Sequence, residues 1–137
     1  MIIMNKNRAY NLLLKDPAIK NILLVNDGLF LGDFIHKLLP LAYSIKLYKP
    51  EAKITVYTIN KNRGVQCIGS KCTDLFAFYH MDDTVYDFVY KFEKYEVEMD
   101  RILYKNIYYS ENRNSFIFPG WNTVECIPYL HPNFLHN

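Results

Sequence analysis

Apolar and polar positions alternate in blocks along this chain, and the clearest block runs from residue 21 to residue 59. Ile22, Leu23, Leu24 and Val25 form a continuous aliphatic run between two asparagines. That is the pattern of a strand buried on both faces of a parallel sheet. A polar turn follows, and apolar residues then return at helical spacing: Phe34, Leu38, Leu41, Ala42 and Ile45. The spacing predicts a helix over 34–48 with this stripe against the sheet, and His36, Lys37, Ser44 and Lys46 largely elsewhere. Pro40 falls inside the helix and is expected to bend it or to loosen the His36 carbonyl, because proline brings no N–H. Pro50 marks the exit, and the β-branched, apolar run 53–59 predicts the next strand. Strand, helix and strand make a βαβ unit, whose crossover is right-handed.

On either side of this unit the pattern is weaker. Residues 5–15 fit a short amphipathic helix with Ala9, Leu12 and Leu13 on one side, stopped by Asp16-Pro17. It reads as a lead-in packed against the sheet edge; its few basic residues would give a membrane-surface contact little affinity. After the second strand, 60–64 is a polar loop. Residues 65–68 are either a brief strand or the approach to a helix over 71–79 capped by Ser70. Residues 81–83 form a turn and 85–90 a strand. Residues 93–109 fit two patterns: Val97, Met99, Ile102, Leu103 and Ile107 allow a helix, while Glu96, Glu98 and Asp100 alternate as on a strand. The helix is favoured. A loop over 110–115, a strand over 116–118 and an irregular tail broken by Pro128 and Pro132 complete the chain. Strands alternating with helices predict an α/β fold, a Rossmann-like three-layer sandwich with a mainly parallel sheet. There is no internal repeat or linker, so 1–137 is read as a single domain.

Composition narrows the function classes. The chain has 137 residues, half of them hydrophobic, and a net charge of only +2. It can bury a core of its own and lacks the positive field of a nucleic-acid binder. Cys67, Cys72 and Cys126 form no metal or disulfide pattern, which fits a reducing cytoplasm. No run approaches a membrane span, and the first residues do not read as a signal peptide.

The turn Asn26-Asp27-Gly28-Leu29-Phe30-Leu31-Gly32 and the following Asp33 hold the candidate chemistry. Open α/β sheets bind ligands at the carboxyl ends of their strands, and the first strand-to-helix turn is the usual place. Gly28 and Gly32 give neither the dinucleotide fingerprint nor a P-loop, and Asp33 stands where a phosphate would sit on a helix N-terminus. A carboxylate there has two readings. It caps the helix, or, held ionised by the helix dipole beside glycines that let a ligand approach, it takes a proton from a hydroxyl nucleophile.

The run Gly32-Asp33, then His36 and Pro40 within an apolar helix, then Pro50-Glu51-Ala52-Lys53-Ile54-Thr55, resembles the start of the glycosyltransferase family 9 proteins, the heptosyltransferases of lipopolysaccharide inner-core biosynthesis and their relatives. Met81-Asp82-Asp83-Thr84-Val85-Tyr86 is similar to the family's lead-in to a further strand. The likeness covers residues 21–90 and is most specific in the first part of that span; Asn26 stands where the family often has a basic residue. It implies a GT-B architecture in which this chain is the N-terminal, acceptor-binding half. Asp33 is then the base of an inverting, metal-independent transfer, and the nucleotide-sugar donor binds a second Rossmann-like half. Asn26, Asp27, Gly28, Gly32, His36 and Lys37 would line the acceptor site, with a saccharide or glycolipid acceptor. No cofactor and no nucleic acid is implied; the place would be the bacterial cytoplasm, with peripheral contact at the inner membrane face. The length leaves no room for the donor half, so the chain is expected to be part of a longer enzyme, inactive alone. The alternative is a stand-alone flavodoxin-like module that binds a ligand or partner without catalysis.

Other residues have plainer readings. Lys37 and Arg63 could meet an anionic acceptor or be scattered surface cations. The aromatics Tyr104, Tyr108, Tyr109, Phe116, Phe118, Trp121 and Tyr129 are read as core, or as a stacking or docking face if exposed together.

Overall fold

The structure, a computed structural model, describes residues 6–26, 38–58, 63–92 and 101–109. Helix α1 (Lys6–Lys15) leads into strand β1 (Asn21–Asn26), followed by α2 (Leu39–Tyr48) and β2 (Lys53–Thr58). Helix α3 (Arg63–Lys71) and the short strands β3 (Ala77–Phe78) and β4 (Val85–Tyr86) come next. Strands β5 (Phe88–Lys91), β6 (Leu103–Tyr104) and β7 (Ile107–Tyr109) complete the described elements. Five strands form one parallel sheet in the order β3-β2-β1-β5-β7, and β4 pairs with β6 separately. This is an α/β, Rossmann-like fold.

The continuous apolar run at β1 has its expected cause. It is the central strand, and Ile22, Leu23, Leu24 and Val25 are fully buried. Alternate side chains serve two cores. Ile22, Leu24, Ile54, Val56, Phe88 and Tyr90 pack on one face with the helices. Leu23, Val25 and Val89 pack on the other with Tyr86 and Ile102. Right-handedness explains the division of labour. The connections β1-to-β2 and β2-to-β3 step outward in one direction, with α2 and α3 on one face. The return from β3 past β1 to β5 runs the other way and therefore crosses the opposite face. That return is residues 79–87, shorter than the usual helical crossover of a dozen or more residues. It carries β4, so the second face is layered, among the described residues, by the β4–β6 pair. A side-chain hydrogen bond between Thr55 and Tyr86 fastens β4 to the sheet.

Helix α1 buries Ala9 and Leu13 and half-buries Leu12, as the spacing predicts. It stops at Asp16, whose N–H donates to the Asn11 carbonyl (3.0 Å) and whose carboxylate accepts from the Ala18 N–H (2.9 Å). The Lys49 ammonium after α2 donates to the Leu12 and Ile19 carbonyls (2.7 and 3.0 Å), stapling α1 to the sheet. Burial lowers the Lys49 pKa, against the opposing pull of Asp16 and Asp87.

Several expectations are corrected. Pro40 stands in the first turn of α2 as described, and the expected bend or loosened His36 carbonyl falls on residues outside the described set. Leu38 just before it has helical dihedrals (φ −73°, ψ −50°); residues 34–37 are outside the described set. Ser44, expected away from the core, is 6% exposed on α2, a helix that also packs against α1. Residues 65–68 belong to α3, and the helix predicted over 71–79 is instead a turn and β3. Gly64, Gly69 and the branched Val65 and Ile68 disguise α3 as a loop and strand. Ser70 does not cap a helix start; its hydroxyl donates back to the Cys67 carbonyl (2.7 Å). The strand predicted over 85–90 breaks at Asp87 into members of two sheets. Within 93–109, residues 103–104 and 107–109 are strands, not helix, because the β4 and β5 edges offer ladders to β-branched and aromatic residues. The order β3-β2-β1-β5-β7 also departs from the flavodoxin order 2-1-3-4-5.

Gly69 is where α3 touches β3. A Cβ built there runs into the Phe78 ring, which is itself held edge-on against Phe76 (ring centroids 5.5 Å). Gly69→Ala is therefore expected to lower stability by about 1–3 kcal/mol, read from urea unfolding. Adding Phe78→Leu should recover most of the loss; an undiminished loss would place the strain elsewhere.

Candidate functional site

A parallel sheet has two chemically different edges, and the strand order sets which part of each matters. Chain direction reverses its sideways progress at β1, which has β2 on one side and β5 on the other. The carboxyl ends of β1 and β5 are therefore the topological switch point, where open α/β sheets leave a crevice for ligands. Asn26 closes β1, in register with Thr58 at the end of β2. Across β1, Val25 pairs with Lys91, which also pairs with Tyr109 of β7. The Phe92 N–H donates to the Val25 carbonyl (3.2 Å), carrying the ladder up to this edge.

Of the residues singled out in the sequence, Asn26 is thus placed, as the last residue of β1. Asp27, Gly28, Gly32, Asp33, His36 and Lys37 lie outside the described residues, as do Cys126, Glu96, Glu98, Asp100 and the aromatics from Phe116 on. Arg63 is exposed at the start of α3. Cys67 is exposed, while burial pushes the Cys72 thiol up to about 11, so Cys72 is an inert core group at neutral pH. Tyr104 is exposed and Tyr108 half-buried against Tyr90 (ring centroids 5.2 Å). Burial also raises the Tyr90 phenol, which stays protonated. Among the described residues no group of three or more His, Cys, Asp or Glu side chains could hold a metal ion, and no helix is long and apolar enough to cross a membrane.

Two buried charges on β5 or beside it were not singled out. Lys91 is 7% exposed at the carboxyl edge and Thr58 nearby is 6% exposed. The signal for Lys91 was in the sequence: a lysine directly after the apolar run Phe88-Val89-Tyr90. Asp87 marks the opposite, amino edge and is 9% exposed. One carboxylate oxygen accepts from both the Lys20 and Asn21 N–H groups (2.9 Å each), and the other lies 3.5 Å from the Lys105 ammonium. Burial opposes its ionisation, but the two backbone donors and Lys105 outweigh it and hold the carboxyl below the usual range. The Asp87 N–H donates to the Asn21 carbonyl (2.8 Å) and its own carbonyl accepts from the Asn106 side chain (3.0 Å). Every polar group of Asp87 has a partner within the fold, so its role at the amino edge is structural. The carboxyl edge is the candidate site. No protein-family model, curated protein or solved structure matches the chain.

Proposed function

We propose that this chain is the acceptor-binding half of an inverting, metal-independent glycosyltransferase of heptosyltransferase type. The observation that supports the reading is the strand order, which puts the carboxyl end of β1 at the switch point of a Rossmann-like sheet. In the sequence Asp33 comes shortly after Asn26, the last residue of β1. In the proposed reaction its carboxylate takes the proton of an acceptor hydroxyl. The hydroxyl oxygen forms a bond to the anomeric carbon of the donor, and the bond from that carbon to the nucleoside diphosphate breaks. Configuration inverts because attack and departure are on opposite faces. Asn26, Asp27, Gly28, Gly32, His36 and Lys37 orient a saccharide or lipopolysaccharide-type acceptor, while a second half supplies the donor site. Such a protein would work in the cytoplasm, at the inner face of the membrane.

The test is a panel of nucleotide sugars offered to the full-length gene product with saccharide and glycolipid acceptors, read by mass spectrometry. The reading expects one glycosyl unit added to an acceptor, unaffected by a chelator. Ligand binding with no transfer from any donor would instead favour a non-catalytic binding module, which a switch point complete within one sheet would equally serve.

A further inference from the structure

Large apolar side chains gather on the outside of the small β4–β6 sheet. Val85 and Leu103, directly opposite each other in its register, are 44% and 55% exposed. Tyr104 follows on β6 and is exposed too. The Arg101 guanidinium reaches the sulfur of the exposed Met81 (4.0 Å), which brings Met81 to the same patch. Single exposed apolar residues are ordinary, whereas a group of four on so small a sheet marks a contact surface. A two-stranded sheet is also marginal by itself and gains from a further layer. On its inner side Tyr86 and Ile102 are buried against the main sheet. Its outer side stays exposed.

The sequence of the two strands says what fits there. Asp83-Thr84-Val85-Tyr86 and Arg101-Ile102-Leu103-Tyr104 follow one pattern: a charge, one intervening residue, an aliphatic and a tyrosine. Only the sign of the charge differs. Asp83 and Arg101 are both exposed, and among the described residues neither forms an ion pair. A face whose halves are alike in shape and opposite in charge is complementary to itself, as a two-fold contact between identical chains requires. A two-fold axis along the strands, between β4 and β6, sets each β4 over the partner's β6. Val85 then meets the partner's Leu103, and Asp83 meets the partner's Arg101, each contact occurring twice.

We propose that the outer face of the β4–β6 sheet is a homodimer interface, occupied by the same face of a second copy of this chain. Four apolar side chains from each copy make a contact below the standard size, so association is weak and concentration-dependent. The charges at its rim steer the pairing and fix its register. The assignment stands apart from sugar transfer, since a catalytic half and a binding module would both pair this way.

The test is sedimentation velocity of the full chain from about 1 μM to about 1 mM, the range in which weak interfaces associate. The mass is expected to rise with concentration from that of one chain to that of two. Leu103→Asp, a change at an exposed position, should weaken pairing by at least about tenfold while urea unfolding shows the variant folded. Asp83→Arg and Arg101→Asp each set like charges across the two-fold and should weaken it as well. Mixed in equal amounts, these two variants should pair with each other better than either pairs with itself, because both cross-contacts then join opposite charges. A monomer at every concentration would overturn the proposal and leave the face to another part of this chain or to a different partner. So would undiminished pairing of a folded Leu103→Asp variant, or a charge mixture no better paired than its components. If Leu103→Asp does not fold, the charge mixture decides by itself.

Discussion

Asp33→Asn is expected to lower the rate of sugar transfer by about 10²–10⁴-fold, the range a positioned general base contributes. Asparagine caps a helix about as well as aspartate, so stability should hardly change. Asp33→Ala should lose the same activity and in addition about 1 kcal/mol of stability, the worth of a cap. The pair of variants separates the two readings of one side chain. A base lost without a cap lost gives inactive, stable protein. Steady-state kinetics with the donor and acceptor found in the panel, alongside urea unfolding, make the comparison. The loss should fall on kcat with KM for the donor little changed, since the proposed arrangement gives the donor to a second half. Full transfer by Asp33→Asn would leave Asp33 a cap and nothing more.

The largest effect on stability is expected at the opposite edge. Asp87→Ala strips the partner from two backbone N–H groups at the start of β1 and removes a charged acceptor from both. At about 1.5–3 kcal/mol for a hydrogen bond to a charged group, the loss should be about 3–5 kcal/mol. That is a large part of the total stability of a typical domain. Lys105 adds little, because it is exposed and 3.5 Å away. Asp87→Asn keeps an oxygen for the same N–H groups and should lose about half as much. The pH dependence follows from the sign of the shift. The folded-state pKa of Asp87 is below its unfolded value, so its contribution is present above the unfolded pKa, about 3.9. It fades as pH falls from there through the folded-state pKa. Urea midpoints of wild type should therefore fall with acid below about pH 4, and those of Asp87→Asn should fall less. Parallel acid profiles would mean that Asp87 is not the group concerned.

The outline of this fold was legible because its strongest signals are its most buried parts. The aliphatic run of β1 is the central strand, and the apolar stripe Leu38, Leu41, Ala42 and Ile45 does lie in the core. What misled was local propensity where tertiary contact decides. Gly69 weakens a helix in isolation, yet its bare backbone is what lets α3 close on Phe78. The pattern Val85 to Tyr90 reads as one strand, and only the demand of the Lys20 and Asn21 amides for an acceptor explains its break at Asp87. Leu103 and Ile107 are spaced for a helix, but parallel partners at Val85 and Val89 draw them into strands. The carboxyl end of β1 was legible as a place because the aliphatic run Ile22 to Val25 ends at Asn26, while Gly28, Gly32 and Asp33 beyond it lie outside the described residues. Lys91 reaches that edge through strand pairing alone. A strand can be read locally, whereas its neighbours are set by crossovers whose direction no short window of sequence contains.

The central claim is that ligands meet this chain at the carboxyl ends of β1 and β5. The most direct measurement follows backbone amide signals of the full chain while it is titrated with nucleotide sugars, sugar phosphates and free saccharides. The account predicts perturbations concentrated at Val25, Asn26, Thr58, Lys91 and Phe92. Perturbations centred instead on Lys20, Asn21 and Asp87, or on the exposed Val85 and Leu103 of the β4–β6 pair, would contradict it.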